Sequence, residues 1–213
     1  MPIFHHTKTH GRFFFIHIPR TAGRFLLENF RENEYNIEHH LTKKIFNWSI
    51  KEKKERDNYL GTPTEGVEIL HTHYPLYSKW KSIKGLSSIA VVRNPIDRFF
   101  SASWSYSTVA SQSSFEDWTT YESIVSQYRL INTANWWRPQ HEFVSPHTKI
   151  WKYENGFGEK FCDWINNILP INFSIKTQTY LQEDYDQPGL MKTTALINNI
   201  KKFYRQDFEK FDY

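Results

Sequence analysis

The chain has 213 residues, enough for one domain with an ordinary core. Aromatic residues make up 17% of it, and the net charge of +4 biases it mildly toward anionic ligands, well short of the dense basic stripe of a dedicated nucleic-acid binder. Cys162 is the single cysteine, which excludes an intramolecular disulfide and a cysteine-built metal site. The N-terminus lacks the continuous apolar stretch of a signal peptide, and no apolar run reaches about 18 residues. A cytoplasmic protein without a membrane partner is therefore expected.

Residues 1–11 are expected to be a mobile N-terminus. RFFFIHI (12–18) is strand-like, rich in aromatic and β-branched residues, and stops at Pro19. RFLLENFREN (24–33) then sets Phe25, Leu26 or Leu27, and Phe30 on one helical face. Residues 41–60 are charged and read as a solvated helix, 61–66 as a turn, and VEILHTHYP (67–75) as a short strand ending at Pro75. SSIAVVRNP (87–95) is a continuous apolar run that predicts a strand buried on both faces. The following helix has Pro95 suited to its first turn. Ser114-Phe115-Glu116-Asp117 has the pattern of a helix start leading through residue 128. HTKIWKYE (147–154) reads as another strand, residues 158–169 as a helix ended by Pro170, and 193–211 as one long helix with an apolar face. Alternating strands and helices predict an α/β fold, a single domain over 1–213 with a central parallel β-sheet flanked by helices.

Ligands of open parallel sheets sit beyond the carboxyl ends of the strands. Here those ends read IPRTAGR, HTHYP and VVRNPIDR, each with cationic or titratable side chains. At 19–24 the chain turns through Ala22-Gly23 into a helix, which exposes unpaired N–H groups at a positive dipole end. Thr21 adds a hydroxyl donor, and Arg20 and Arg24 add two guanidinium groups able to grip phosphate or sulfate. The Gly-x4-Gly-Lys-Ser/Thr spacing of nucleoside-triphosphate loops is absent. Taken alone, the segment suits an anion site and an ordinary strand-to-helix turn equally well. Arg93 closes a buried strand, where a charge needs an anion or an acid. A phosphate held by Arg93 and Ser101 answers that need, and so does an ion pair with Asp97 or Asp117.

FFFIHIPRTAGRFLLENF, followed about 70 residues later by SIAVVRNPIDRFFSASW, resembles the sulfotransferases that use 3′-phosphoadenosine 5′-phosphosulfate (PAPS). The likeness is to the branch of heparan sulfate and related carbohydrate O-sulfotransferases. HTHYPLY, NTANWWRPQHEFV and FYRQDFEKFDY resemble further stretches of that branch, so the likeness spans nearly the whole chain. It implies a phosphate-binding strand-loop-helix that takes the 5′-phosphosulfate, with Arg20, Thr21, Ala22, Gly23, Arg24 and Phe25 as cofactor-binding residues. It also implies that Arg93 and Ser101 hold the 3′-phosphate. Position 20 is Arg where the family has Lys, and position 24 is Arg where it has Thr or Ser. Arg keeps the charge at 20 but is planar and forked.

Sulfuryl transfer, like phosphoryl transfer, depends on positioning and charge neutralisation. The acceptor hydroxyl needs a base with a pKa near neutrality, which imidazole offers. Among ten histidines, His73 matches the second His of the family's His-x-His element and is the expected base, with Arg20 aiding departure of the leaving phosphate. His71, on the same face of an extended chain, is expected to orient it or the acceptor. His17 is the runner-up, its place in an aromatic strand favouring the core. Trp137, Arg138 and His141 form a ring-rich cationic stretch suited to a saccharide acceptor, and Trp104 and Tyr106 are placed to flank adenine. The resemblance implies transfer without a metal, and none is expected. Two other readings stay open: a PAPS-binding relative with weak or no catalysis, and a basic nucleic-acid-binding domain that stacks bases on its aromatics.

Overall fold

A computed structural model of the chain describes residues 3–37, 74, 78, 83–110, 120–128, 135–169, 172–176 and 192–213. The expected helix over 41–60, the turn at 61–66, the strand at 67–75 (Tyr74 apart), His71, His73 and the helix start at 114–117 lie outside the described residues. The strands are β1 (Ile3–His6), β2 (Arg12–Ile16), β3 (Tyr35–Ile37), β4 (Ser87–Val92) and β5 (Lys149–Lys152). The helices are α1 (Gly23–Glu32), α2 (Pro95–Ala110), α3 (Tyr121–Tyr128), α4 (Glu159–Ile168), α5 (Thr194–Phe203) and α6 (Arg205–Phe211).

The strands form one sheet in the order β3-β1-β2-β4-β5. β2, β4 and β5 run parallel, as the alternation of strands and helices requires, whereas β1 is antiparallel to both β2 and β3. The sheet is thus mixed, a correction to the expected parallel one. The extra pairing comes from the segment expected to be mobile, which is the second correction. Ile3 and Phe4 are fully buried on opposite faces of the sheet, and the hairpin is closed by His6 N–H donating to Gly11 O at 2.9 Å.

Alternation along β2 sends Phe13 and Phe15 to one face and Phe14 and Ile16 to the other. β4 does the same with Ile89 and Val91 against Ala90 and Val92, so it is buried on both faces as its apolar run predicts. The first face packs on α1 and α4 through Leu26, Phe30, Phe161 and Ile165. The second packs on Phe143, Val144 and Phe211. A third cluster joins α2 to α5 through Phe99, Phe100, Leu196, Ile200 and Tyr204. The expected single C-terminal helix is broken at Tyr204 (φ −94°, ψ 21°), whose hydroxyl is drawn inward to donate to Trp137 O at 2.6 Å. Beyond the break, α6 sends Phe211 to the second cluster while Phe208 stays against the third.

Candidate anion site at the carboxyl ends of the strands

Two left-handed residues, Arg20 (φ 68°) and Ala22 (φ 67°), turn the chain from β2 into α1. For a side-chain-bearing residue each costs about 1–2 kcal/mol, and such strain persists only where the surroundings enforce it. Thr21 between them is fully buried, and its hydroxyl donates to Ile18 O at 2.9 Å. The Thr21 hydroxyl therefore pins the turn; this corrects its expected use as a donor to a ligand. Ala22 is the N-cap of α1, with no side-chain cap bond and no acidic residue in the first turn, so the dipole end is left to other partners. A Cβ on Gly23 would stand 1.8 Å from His17 Nε2. Glycine is required here because the imidazole, stacked on Phe15 with ring centroids 5.8 Å apart, lies against it.

The turn at 19–24 and the start of α2 meet. Arg20 Nε donates to Ser101 Oγ at 3.1 Å, a contact across 81 residues, and Ser101 itself is buried on α2. Burial lowers the Arg20 guanidinium to about 10; the nearby Arg93 and Arg24 charges act in the same direction and Tyr153 opposes them. Arg93 stacks on Tyr153, 4.5 Å from guanidinium carbon to ring centroid. Its backbone is clamped from both sides: Arg93 N–H donates to Gln140 Oε1 at 2.9 Å, and Gln140 Nε2 donates to Arg93 O at 2.7 Å. Among the described residues, no carboxylate stands within ion-pair distance of Arg93 or Arg24, Asp97 included. The half-buried rings of Phe25, Phe157 and Tyr153 adjoin in series, with centroids 5.1 and 5.6 Å apart.

Sequence reasoning missed Arg98. It is buried on α2, donating to the carbonyls of Pro19, Trp136 and Arg138, and lies 5.7 Å from the Tyr204 ring centroid. Arg98 thereby ties the turn before α1 to residues 136–138. The signal was present: Arg98 and Ser101 are three apart on one helix, hence on one face. Asp207 was missed as well. Its fully buried carboxylate accepts from Gln140 N–H at 2.7 Å, from His141 N–H at 2.8 Å and from His141 Nδ1 at 2.7 Å.

The expected acceptor residues divide. Trp137 is fully buried in the cluster between α2 and α5, so it cannot stack on a sugar; this is a correction. Arg138 pairs with Glu142 at 2.6 Å and donates to Asn135 at 3.1 Å. His141 is bound to Asp207 and keeps only an edge exposed. His141, through Asp207 and Gln140, belongs to the support behind Arg93, and the Arg138 carbonyl to that of Arg98.

No group of three or more metal-ligating side chains occurs among the described residues. No helix among them is long and apolar enough to cross a membrane. The donor set fits a polyanion flanked by a ring: three guanidinium groups, an uncapped helix start and adjoining aromatic faces. Compared with known proteins, the chain matches no family model, no curated protein and no solved structure.

Proposed function

We propose that the chain is a PAPS-dependent O-sulfotransferase acting on a hydroxyl-bearing acceptor, with saccharides the first class to try. The observation that carries this reading is the convergence of the two arginine motifs. Arg20 touches Ser101 and feels the charges of Arg93 and Arg24, and no carboxylate of the described residues pairs with the latter two. Like charges gathered in a partly buried place raise the free energy of the ligand-free protein, and a doubly phosphorylated nucleotide offsets that with charge-assisted hydrogen bonds.

In this reading the nucleotide supplies an activated sulfuryl group. Arg20 and the first N–H groups of α1 neutralise charge gathering on the bridging oxygen as the sulfur–oxygen bond breaks, while the acceptor oxygen bonds to sulfur. Arg93 and Ser101 hold the far phosphate and Phe25 offers a face to the adenine. His73, outside the described residues, takes the hydroxyl proton, and the electron pair of the broken bond stays on the departing phosphate.

The test is thermal unfolding with adenosine 3′,5′-bisphosphate, followed by transfer of labelled sulfate to a panel of acceptors. Ligand at 100 times its dissociation constant stabilises by about 2.7 kcal/mol. No shift at millimolar bisphosphate would sink the reading. Arg at position 20 favours a second one, a nucleotide-binding relative with weak catalysis, since its fork suits static anion binding. Stabilisation without transfer, with transfer gained in Arg20→Lys, would select it. Affinity for nucleic acid that falls steeply with salt, without any bisphosphate shift, would select the nucleic-acid-binding domain instead.

A further inference from the structure

We propose that His5 and His10 form a bidentate site for a divalent ion of the zinc, copper or nickel class, at the β1–β2 hairpin and independent of the arginine cluster. His5 lies on β1 and His10 in the turn that follows. His5 Nε2 and His10 Nδ1 stand 3.3 Å apart. Two nitrogens each about 2.0–2.1 Å from a tetrahedral zinc are separated by about 3.3–3.4 Å. The two rings therefore already stand at the bite that one ion requires, with centroids 5.4 Å apart. Imidazole nitrogen is the ligand type that suits zinc, copper and nickel alike.

The backbone enforces this approach. His10 is left-handed (φ 57°), an uncommon state for a residue other than glycine. It is locked there by its N–H donating to His6 O at 3.0 Å, inside the His6–Gly11 closure at 2.9 Å. His6 takes no part, because its Nδ1 accepts from Thr9 N–H at 3.0 Å and contacts the Thr9 hydroxyl. Metal-free, one imidazole donates its proton to the other. With an ion bound, His5 Nε2 and His10 Nδ1 both present lone pairs, and each neutral ring carries its proton on its remaining nitrogen. Water completes the coordination, since no third metal-ligating side chain is gathered there among the described residues. Arg12, paired with His5 in the strand register, is the cation that opposes binding. The ion would clip the turn to β1.

The test is calorimetric titration of the whole chain with zinc chloride and, separately, nickel chloride at pH 7.5. One ion per chain should bind. His10→Asn, which keeps a residue tolerant of the left-handed state, and His5→Gln should each weaken binding about tenfold or more. Thermal unfolding without metal checks that both variants fold. His147→Gln, an exposed histidine elsewhere, should bind as the parent does. Unchanged affinity in both folded variants overturns the proposal, as does a stoichiometric site lost equally in His147→Gln.

Discussion

Arg98 and the group of Arg20, Arg24 and Arg93 occupy two environments, and the contrast separates a strut from a candidate site. Arg98 is buried, its two terminal nitrogens donating to three backbone carbonyls; burial lowers its guanidinium below the ordinary range, opposed by Tyr204 and the Asp207 carboxylate. Arg93 and Arg24 lie at the same end of the sheet, half-buried or exposed, and near Arg20. Arg93 has a tyrosine face and, among the described residues, no carboxylate within ion-pair distance. A buried cation with acceptors holds loops together. Cations whose neighbours are other cations hold an anion, or else they are a standing liability to the fold.

The sharpest way to break that contrast is Arg98→Met. It strips a charge-assisted donor from the carbonyls of Pro19, Trp136 and Arg138 and removes a cation near a buried carboxylate. Removing one partner of such a buried set destabilises by about 3–5 kcal/mol, a large part of the ~5–15 kcal/mol that holds a domain folded. Urea denaturation checks it, and a loss below about 1 kcal/mol would mean that Arg98 is not a strut. Arg93→Ala should behave oppositely. It should fold with little loss yet forfeit most of the roughly 2.7 kcal/mol that saturating bisphosphate gives the parent. Retention of the full ligand-induced shift in the melting curve would remove Arg93 from the site.

A third substitution tests the turn between those regions. Gly23→Ala forces a methyl onto the space of His17 Nε2 and should destabilise by about 1–3 kcal/mol, the usual range for overpacking. His17→Ala vacates that space, so the double variant should recover part of the loss. Additive penalties in a double-mutant cycle would show that the imidazole is not the reason for the glycine.

What the sequence disclosed follows from how local each signal is. β2, α1, β4 and α2 were legible because a continuous apolar run or a helical stripe lies within a few residues, and the Arg-bearing turns fall at their junctions. β1 was not legible. Ile3 and Phe4 are a two-residue apolar signal followed by two histidines, and only pairing with β2 and β3 makes them core. The break at Tyr204 was hidden because the contact that marks it, the bond to Trp137, lies 67 residues away. Trp137 looked like a sugar platform because a ring beside Arg and His reads the same whether it faces solvent or core. Burial by α2 and α5 decides that, and burial is not written in a dipeptide.

The smallest expected effect is the most discriminating. Burial, with Arg93 and Arg24 adding, lowers the Arg20 guanidinium to about 10, from an ordinary value above about 12. A base whose folded value is depressed destabilises the fold wherever it is charged in both states. That penalty is full below pH 10, and it is relieved between about 10 and 12, where the unfolded chain holds more protons. At neutral pH, removing the charge should therefore stabilise the ligand-free protein. Discounted for solvent screening and for the lost bond to Ser101, the gain in Arg20→Met is on the order of 1 kcal/mol. The same variant should gain little from bisphosphate, so its melting curve should lie above the parent's without ligand and below it with ligand. A variant less stable than the parent in both conditions would make Arg20 a structural residue like Arg98, and the distinction between the two environments would fall.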